Sequence, residues 1–400
     1  MTPSRRIALI GQRGVPATIG GMEHHVEEIG ARLAARGHEV TVYCNTGYVR
    51  ERPASYRGMR LRHLASIGTK HLDTIGHSAV ATLDAMRAPP DVVHYHAVGP
   101  ALVTPLPRYF SRSRVVLTVH GLDQERAKWG RGARAVLRLA GWMSANVPDA
   151  TITVSRALEA HYREHYGRGT HFIPNGVREA HPRAPDEIRR RFGLKGGDYV
   201  LFVGRLVPEK APDLLVRAFS RLPGKVRLVA AGSPAHTDAY ARQLMELGAR
   251  DPRVLFAGPV YGTALEELYS NAAAFVLPSH LEGLPLTLLE AASYGLPVVA
   301  SDIPPHVEVL GRGGPGRRLF RRGDEDALLA ALASTLDAGH RERAGAAQLH
   351  DEVVRSYSWD QAALATERVY EEVLGAGRRR RARSGGAAAS GPAEDRRRAD

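Results

Sequence analysis

Four hundred residues exceed one ordinary hydrophobic core, and a prior of about 150 residues per domain gives two or three. With 44% hydrophobic and 24% charged residues the composition is globular. The single cysteine, Cys44, excludes an internal disulfide framework and a cysteine zinc site, and fits a reducing, cytoplasmic setting.

Fifty-five Lys and Arg against 42 Asp and Glu leave a formal charge of +13, which suits nucleic acid, a membrane surface or an anionic small substrate. No apolar run approaches the roughly 18 residues of a membrane span. Two arginines and the four apolar residues 7–10 open the chain, but Gly11 ends that run too early for a signal peptide, so it reads as a first strand.

In chain order, strand-like runs lie at 6–11, 39–44, 59–64, 92–96, 115–120 and 151–155. Helical stretches lie between several of them, at 23–36, 71–86, 133–145 and 156–166. The runs are β-branched and almost continuously apolar, as strands buried on both faces of a parallel sheet are. A loop-rich stretch, 173–185, carries three prolines and the turn pair Asn175-Gly176. The alternation then restarts, with strands at 199–204, 226–232, 254–258, 274–278 and 297–301. Helices are expected at 213–222, 238–247, 265–272, 287–294, 324–336 and 341–357.

This pattern predicts two doubly wound α/β domains, 1–183 and 184–359. A helix over 360–375 closes the chain. The tail 376–400, with eight arginines and no aromatic, is expected to be disordered. Ligands of open parallel sheets bind beyond the carboxyl ends of the strands, so the cleft between two such sheets is the expected site.

Three motifs follow strands. After the first comes a glycine-rich turn ending in Gly20-Gly21-Met22-Glu23, where glycine permits close backbone approach and a helix start offers N–H groups to an anion. The spacing G-x-G-x-x-G does not fit it, and no acidic residue stands after the second strand, which argues against a dinucleotide. Gly204-Arg205-Leu206-Val207-Pro208-Glu209-Lys210 opens the second domain, and its Arg205 and Lys210 can converge on one diphosphate. The stretch from Ser279 to Glu290 places Glu282 in a Gly/Pro loop and Glu290 one turn into a helix. Amides of Gly283, Leu284 and the helix start at Thr287 can receive phosphate oxygens. Glu290, on an otherwise apolar helix, suits either ribose hydroxyls or a buried salt bridge.

Together the E-x7-E element, the G-R-L-x-x-E-K loop, the G-G-x-E turn and Ile173-Pro174-Asn175-Gly176-Val177 resemble the retaining family-4 glycosyltransferases, in the expected order over about residues 5–374. Arg13-Gly14-Val15-Pro16 and the stretch from Thr118 to Trp129 further resemble a bacterial subgroup of rhamnosyltransferases and polysaccharide-assembly enzymes. The resemblance implies a GT-B fold of two Rossmann-like domains. It implies that Arg205 and Lys210 bind the diphosphate of a nucleotide sugar and that Glu290 holds the ribose. Glu282 would contact the donor sugar, Gly20 and Gly21 would close over the diphosphate, and His120 would lie near the reacting carbon. Pro285 stands where the family often has a small residue and removes one N–H, leaving Thr287 and the next amides more of the phosphate contact. The implied acceptor is a glycan or lipid-linked envelope precursor, and no cofactor or metal is implied beyond the donor.

Asp324-Glu325-Asp326 resembles a metal motif but follows Gly323 at a helix start, where capping explains it. His94 and His96 share a strand face, with no third metal ligand evident; a place near the acceptor is favoured over a packed strand end. His24 and His25 stay undecided. Arg126, Lys128, Trp129, Arg131, Arg134, Arg138 and Trp142 fit equally an interfacial helix on an anionic membrane and a solvated one. Neither a nucleic-acid module nor a stacking surface accompanies the arginines. A nucleotide-sugar epimerase or hydrolase of similar fold, and more distantly a basic nucleic-acid-binding protein, are the competing readings.

Overall fold

The computed structural model describes residues 3–17, 20–48, 52–66, 73–122, 131–233 and 238–388. The first sheet contains β1 (Arg6–Ile10), β2 (Glu39–Asn45), β3 (Ser55–Tyr56), β4 (Met59–Leu64), β5 (Val92–His96), β6 (Arg114–Val119), β7 (Ala150–Thr153) and β8 (His171–Phe172). Their order is β3-β4-β2-β1-β5-β6-β7-β8, parallel except for the β3–β4 pair. The second sheet contains β9 (Tyr199–Val203), β10 (Arg227–Ala231), β11 (Val254–Gly258), β12 (Ala274–Leu277), β13 (Val298–Ser301) and β14 (Arg317–Phe320). It is all parallel, in the order β11-β10-β9-β12-β13-β14.

The first-sheet helices are α1 (Gly21–Ala35), α2 (Asp73–Arg87), α3 (Pro105–Phe110), α4 (Arg131–Asn146) and α5 (Arg156–Tyr166). With the second sheet come α6 (Glu187–Phe192), α7 (Pro212–Ser220), α8 (Asp238–Gly248), α9 (Gly262–Asn271), α10 (Leu286–Ser293), α11 (Pro304–Leu310), α12 (Glu325–Asp337) and α13 (Gly339–Ser356). The last helix is α14 (Trp359–Ala388). Two Rossmann-like parallel-sheet domains are thus present. β3, β8, β14, α3, α6 and α11 are additions to the sequence reading. Each is seven residues or shorter, too short to display a period.

Strand order decides where the chemistry goes. In the first sheet the chain leaves β1 for β2 on one side and returns to β5 on the other. In the second it leaves β9 for β10 and returns to β12. Each reversal opens a crevice beyond the strand ends. The glycine-rich turn follows β1, and the loops 204–210 and 278–285 follow β9 and β12.

Local signals agree with these ends. Ser155 Oγ accepts from Leu158 N at 3.3 Å to start α5, and Gly167 ends it at φ 62°. Asp324 Oδ1 accepts from Ala327 N at 2.9 Å, while Glu325 and Asp326 pair with Arg217 and Arg221. The Asp324–Asp326 string is therefore a helix cap.

α14 starts at Trp359 and is helical to Ala388, beyond the boundary at 375; residues 389–400 lie outside the described residues. This helix returns to the first domain. Trp359, 3% exposed, joins a core with Val26, Ile29 and Ile173. Arg5 grips Glu371 at 2.8 and 2.9 Å, and Arg36 and His38 both reach Glu367. The two interdomain crossings lie side by side, Val177 N donating to Tyr357 O at 2.9 Å. A Cβ on Gly176 would come within 2.2 Å of Trp359 N, so only glycine fits that crossing. Trp359→Ala is expected to cost about 3–5 kcal/mol, the usual range for emptying a large aromatic site, measured by urea unfolding.

Candidate active site

Two helix starts face each other across the cleft. α1 begins at Gly21, and a Cβ there would lie 3.4 Å from Leu286 Cδ1 at the start of α10. Both positive dipole ends therefore converge on one volume, an arrangement that favours an anion, and at the α1 start the Glu23 carboxylate already accepts from its own amide. Gly20, at φ 107°, turns the chain into α1 as only glycine does readily. The loop before it is held by two carboxylates one turn apart on α1. Glu23 accepts from Arg13 N at 3.3 Å and Glu27 from Ala17 N at 2.8 Å. Burial pushes the Glu23 carboxyl up, while Arg13 and, from the other domain, Arg205 pull it down. Glu28 beside it is also buried, yet Arg57, Arg178 and Arg32 bring its carboxyl down to about 2.

The cations come from the loop after β9. Lys210 Nζ lies 2.7 Å from Glu282 Oε1, which also accepts from Ser279 Oγ at 2.7 Å. Burial would raise the Glu282 carboxyl, but Lys210 and Ser279 hold it below its ordinary value. Arg205 lies 3.9 Å from Glu209. Glu209 O accepts from His280 N at 2.8 Å, tying this loop to the one after β12. Gly204 makes room for the lysine stem, since a Cβ there would lie 3.0 Å from Lys210 Cδ.

Glu290 sits one turn into α10 and accepts from Tyr269 Oη at 3.0 Å. Burial raises its carboxyl against the pull of Tyr269 and Arg178. Among the described residues no cation forms an ion pair with Glu290. Thr287 Oγ1 is buried without a hydrogen-bond partner, and Leu284 O accepts from Asn175 Nδ2 at 3.2 Å.

Opposite these lie four histidines. His96 Nδ1 is 3.2 Å from His120 Nε2, and His25 meets His120 edge-on with ring centroids 4.6 Å apart. Asn175 fixes the tautomer of His25. Its Nδ2 is committed to Leu284 O, so its Oδ1, 2.9 Å from His25 Nδ1, receives the proton of that nitrogen. His94 differs: it is fully buried and bonded at both nitrogens, to Tyr370 Oη at 2.6 Å and Thr118 Oγ1 at 2.7 Å. The expected place of His94 near the acceptor is therefore corrected, because Tyr370 of α14 covers the His94 end of that strand face while His96 meets His120. His24 points elsewhere, toward Glu27, Glu28 and Arg178.

The His94–His96 pair gains no third ligand among the described residues, and His94 belongs to no metal-capable set, but His96 joins a different one. Ring nitrogens of His25, His96 and His120 lie within 4.8 Å of one another, a set able to hold a metal ion. No carboxylate joins that group, so a divalent ion there would be buried without a counter-charge.

Burial lowers all four rings, His25 to about 4 and His94 to about 3, with His96 and His120 well below the ordinary value. The unfolded chain takes up protons at these rings near pH 6.5 and the folded chain resists. Their stability contribution is thus complete above about pH 6.5 and lost as pH falls toward 4. Glu23 and Glu290, raised by burial, act oppositely, losing stability as pH rises through their folded values. With four rings against two carboxyls, the melting temperature is expected to fall from pH 7 to pH 5; a flat or rising profile would contradict the buried cluster.

The structure brings Gly20, Gly21, Arg205, Lys210, Glu282, Gly283, Leu284, Thr287 and Glu290 to one cleft, with His120 on its opposite wall. Sequence reasoning assigned no role to Ser279, Tyr269, Asn175 or His25. Asn175 stood within the Ile173–Val177 element, and His25 two residues after Glu23. Arg126, Lys128 and Trp129 lie outside the described residues.

Residues 19–181 match the family described as Glycosyltransferase Family 4, and residues 185–348 match Glycosyl transferases group 1. A glycogen synthase of Mycobacterium tuberculosis (strain CDC 1551 / Oshkosh) is 32% identical over 91% of this chain and 94% of its own. Sucrose-phosphate synthase from Thermosynechococcus elongatus has a similar fold, with a TM-score of 0.81 at 23% identity over 93% of this chain and 100% of the other. Anabaena HepE in complex with UDP-glucose superposes with a TM-score of 0.76 at 17% identity over 92% of this chain and 100% of the other.

Proposed function

The chain belongs to the family-4 glycosyltransferases of the GT-B fold, and from that premise we propose that it is a retaining enzyme moving a sugar from a nucleoside diphosphate to a cell-envelope or exopolysaccharide precursor, glycan or lipid-linked. The carrying observation is the pair of helix starts facing each other beside Lys210 and Arg205. As the glycosidic bond breaks, negative charge grows on the departing diphosphate. Each preorganised donor aimed at it contributes about 3–4 kcal/mol in the transition state.

In this reading Arg205, Lys210, Thr287 and the amides of Gly20, Gly21, Gly283 and Leu284 hold the diphosphate. Glu290 holds the ribose, Glu282 the sugar hydroxyls, and His120 faces the reacting carbon. No metal and no further cofactor is required, since the cations and dipoles already neutralise the leaving group. HepE, a fold neighbour, binds UDP-glucose, which supports a nucleotide-sugar donor. Among the described residues no helix is long and apolar enough to cross a membrane. In this reading the enzyme works in the cytoplasm, and a lipid-linked acceptor would bring it to the inner membrane face.

A panel of UDP-, GDP- and dTDP-sugars in a melting assay identifies the donor, since a ligand at about 100 times its dissociation constant adds about 2.7 kcal/mol. The labelled donor is then followed by NMR. Transfer with retained anomeric configuration, unchanged by EDTA, is expected. Isomerised donor would support an epimerase and free sugar a hydrolase; inversion or chelator loss would overturn the retaining, metal-independent reading.

A further inference from the structure

Six of the eleven large apolar side chains exposed among the described residues belong to three neighbouring helices of the first domain. They are Leu83 on α2, Tyr109 and Phe110 on α3, and Val136, Leu139 and Trp142 on α4, with Phe110 the most exposed at 75%. α2 packs against α3, and Arg108 Nε donates to Val147 O at 3.2 Å, joining α3 to the end of α4. On α4, Leu137, Ala140 and Ser144 turn inward, which sends Leu139 and Trp142 outward.

On α3 and α4 the described charge has one sign, and on α2 Asp84, beside Leu83, is taken up by Arg62 and Arg87. Arg112, Arg134 and Arg138 are exposed, and no described carboxylate pairs with them. Neither α3 nor α4 contains Asp or Glu. We propose that α2, α3 and α4 form a face that docks on an anionic lipid bilayer, the apolar tips entering the headgroup region and the arginines meeting lipid phosphates. A second copy fits less well, because a two-fold contact would set the arginines against themselves.

The position of this face gives it a use. The 3-10 turn Gly99–Val103 begins three residues after His96 and packs against both α2 and α4. The helices that carry the bilayer-facing tips therefore pack behind the wall that carries His96 and His120. This use rests on the transferase reading with a lipid-linked acceptor; the docking does not, and is measured without donor.

The test is flotation of the full chain with vesicles of phosphatidylcholine alone or mixed with phosphatidylglycerol. The chain is expected to float with the mixed vesicles, to be released by salt, and to stay behind with the neutral ones. R134E/R138E and, separately, F110S/L139S/W142S should each lower the partition coefficient about tenfold or more, with melting temperatures unchanged because these side chains are exposed. Absent flotation, equal binding to neutral vesicles, or variants that bind like the parent would overturn the proposal. So would a dimer in sedimentation that the same substitutions dissociate.

Discussion

Lys210→Ala is expected to lower the rate of sugar transfer by about 10²–10³, the usual effect of removing one preorganised donor from a developing oxyanion. The lysine stands in a loop fixed by its neighbours, with its ammonium 2.7 Å from Glu282 and its stem against Gly204. Its charge is thus in place before donor arrives, and no reorganisation is needed when the leaving group forms. The variant also leaves Glu282 without its cation, and a carboxylate so buried is then pushed toward protonation. Some stability is lost for that reason, so rate alone does not separate catalysis from folding. Affinity does. If Lys210 meets the diphosphate, Lys210→Ala weakens nucleoside diphosphate binding far more than nucleoside binding. An unchanged ratio, measured by calorimetry, would make the lysine a structural partner of Glu282 only.

Both sheets were legible because a parallel strand buried on two faces leaves a continuous apolar run. The candidate-site loops were legible as loops because they follow β1, β9 and β12, where glycine, a cation and carboxylates have few structural reasons to gather. What covers each side chain was not legible. Period two placed His94 and His96 on one face, but Tyr370, 276 residues away, makes one a core histidine and leaves the other beside His120. The partner of Glu290 is a tyrosine from α9, and that of His25 an asparagine in the linker. Such pairs are made by tertiary packing, and local pattern carries no trace of them. The arginine face of α4 was visible as spacing. Its extension through Leu83, Tyr109 and Phe110 required knowing that α2 and α3 lie beside it.

Gly283→Ala is expected to lower transfer by about 10² or more while leaving both domain cores intact. A Cβ on Gly283 would sit 1.9 Å from the carbonyl oxygen of His120 and 3.3 Å from Gly121 Cα. These are backbone atoms of the opposite domain, so no side chain can swing aside. An ordinary carbon–oxygen contact needs about 3.3 Å or more, so against 1.9 Å the cleft must open by about 1.4 Å to admit the methyl group. That opening moves Lys210, Glu282 and the start of α10 away from His120 and Gly20-Gly21 together. A 1 Å misplacement of reacting groups costs about 10² in rate. Gly121→Ala is the matched control, since its Cβ would meet Gly283 at 3.9 Å, an ordinary contact, and near-parental activity is expected. In Gly283→Ala, X-ray scattering should show a wider particle and the melting temperature should change little. Parental kcat in Gly283→Ala would show that transfer does not need this closed contact, and the two halves of the site would then have to meet in another way.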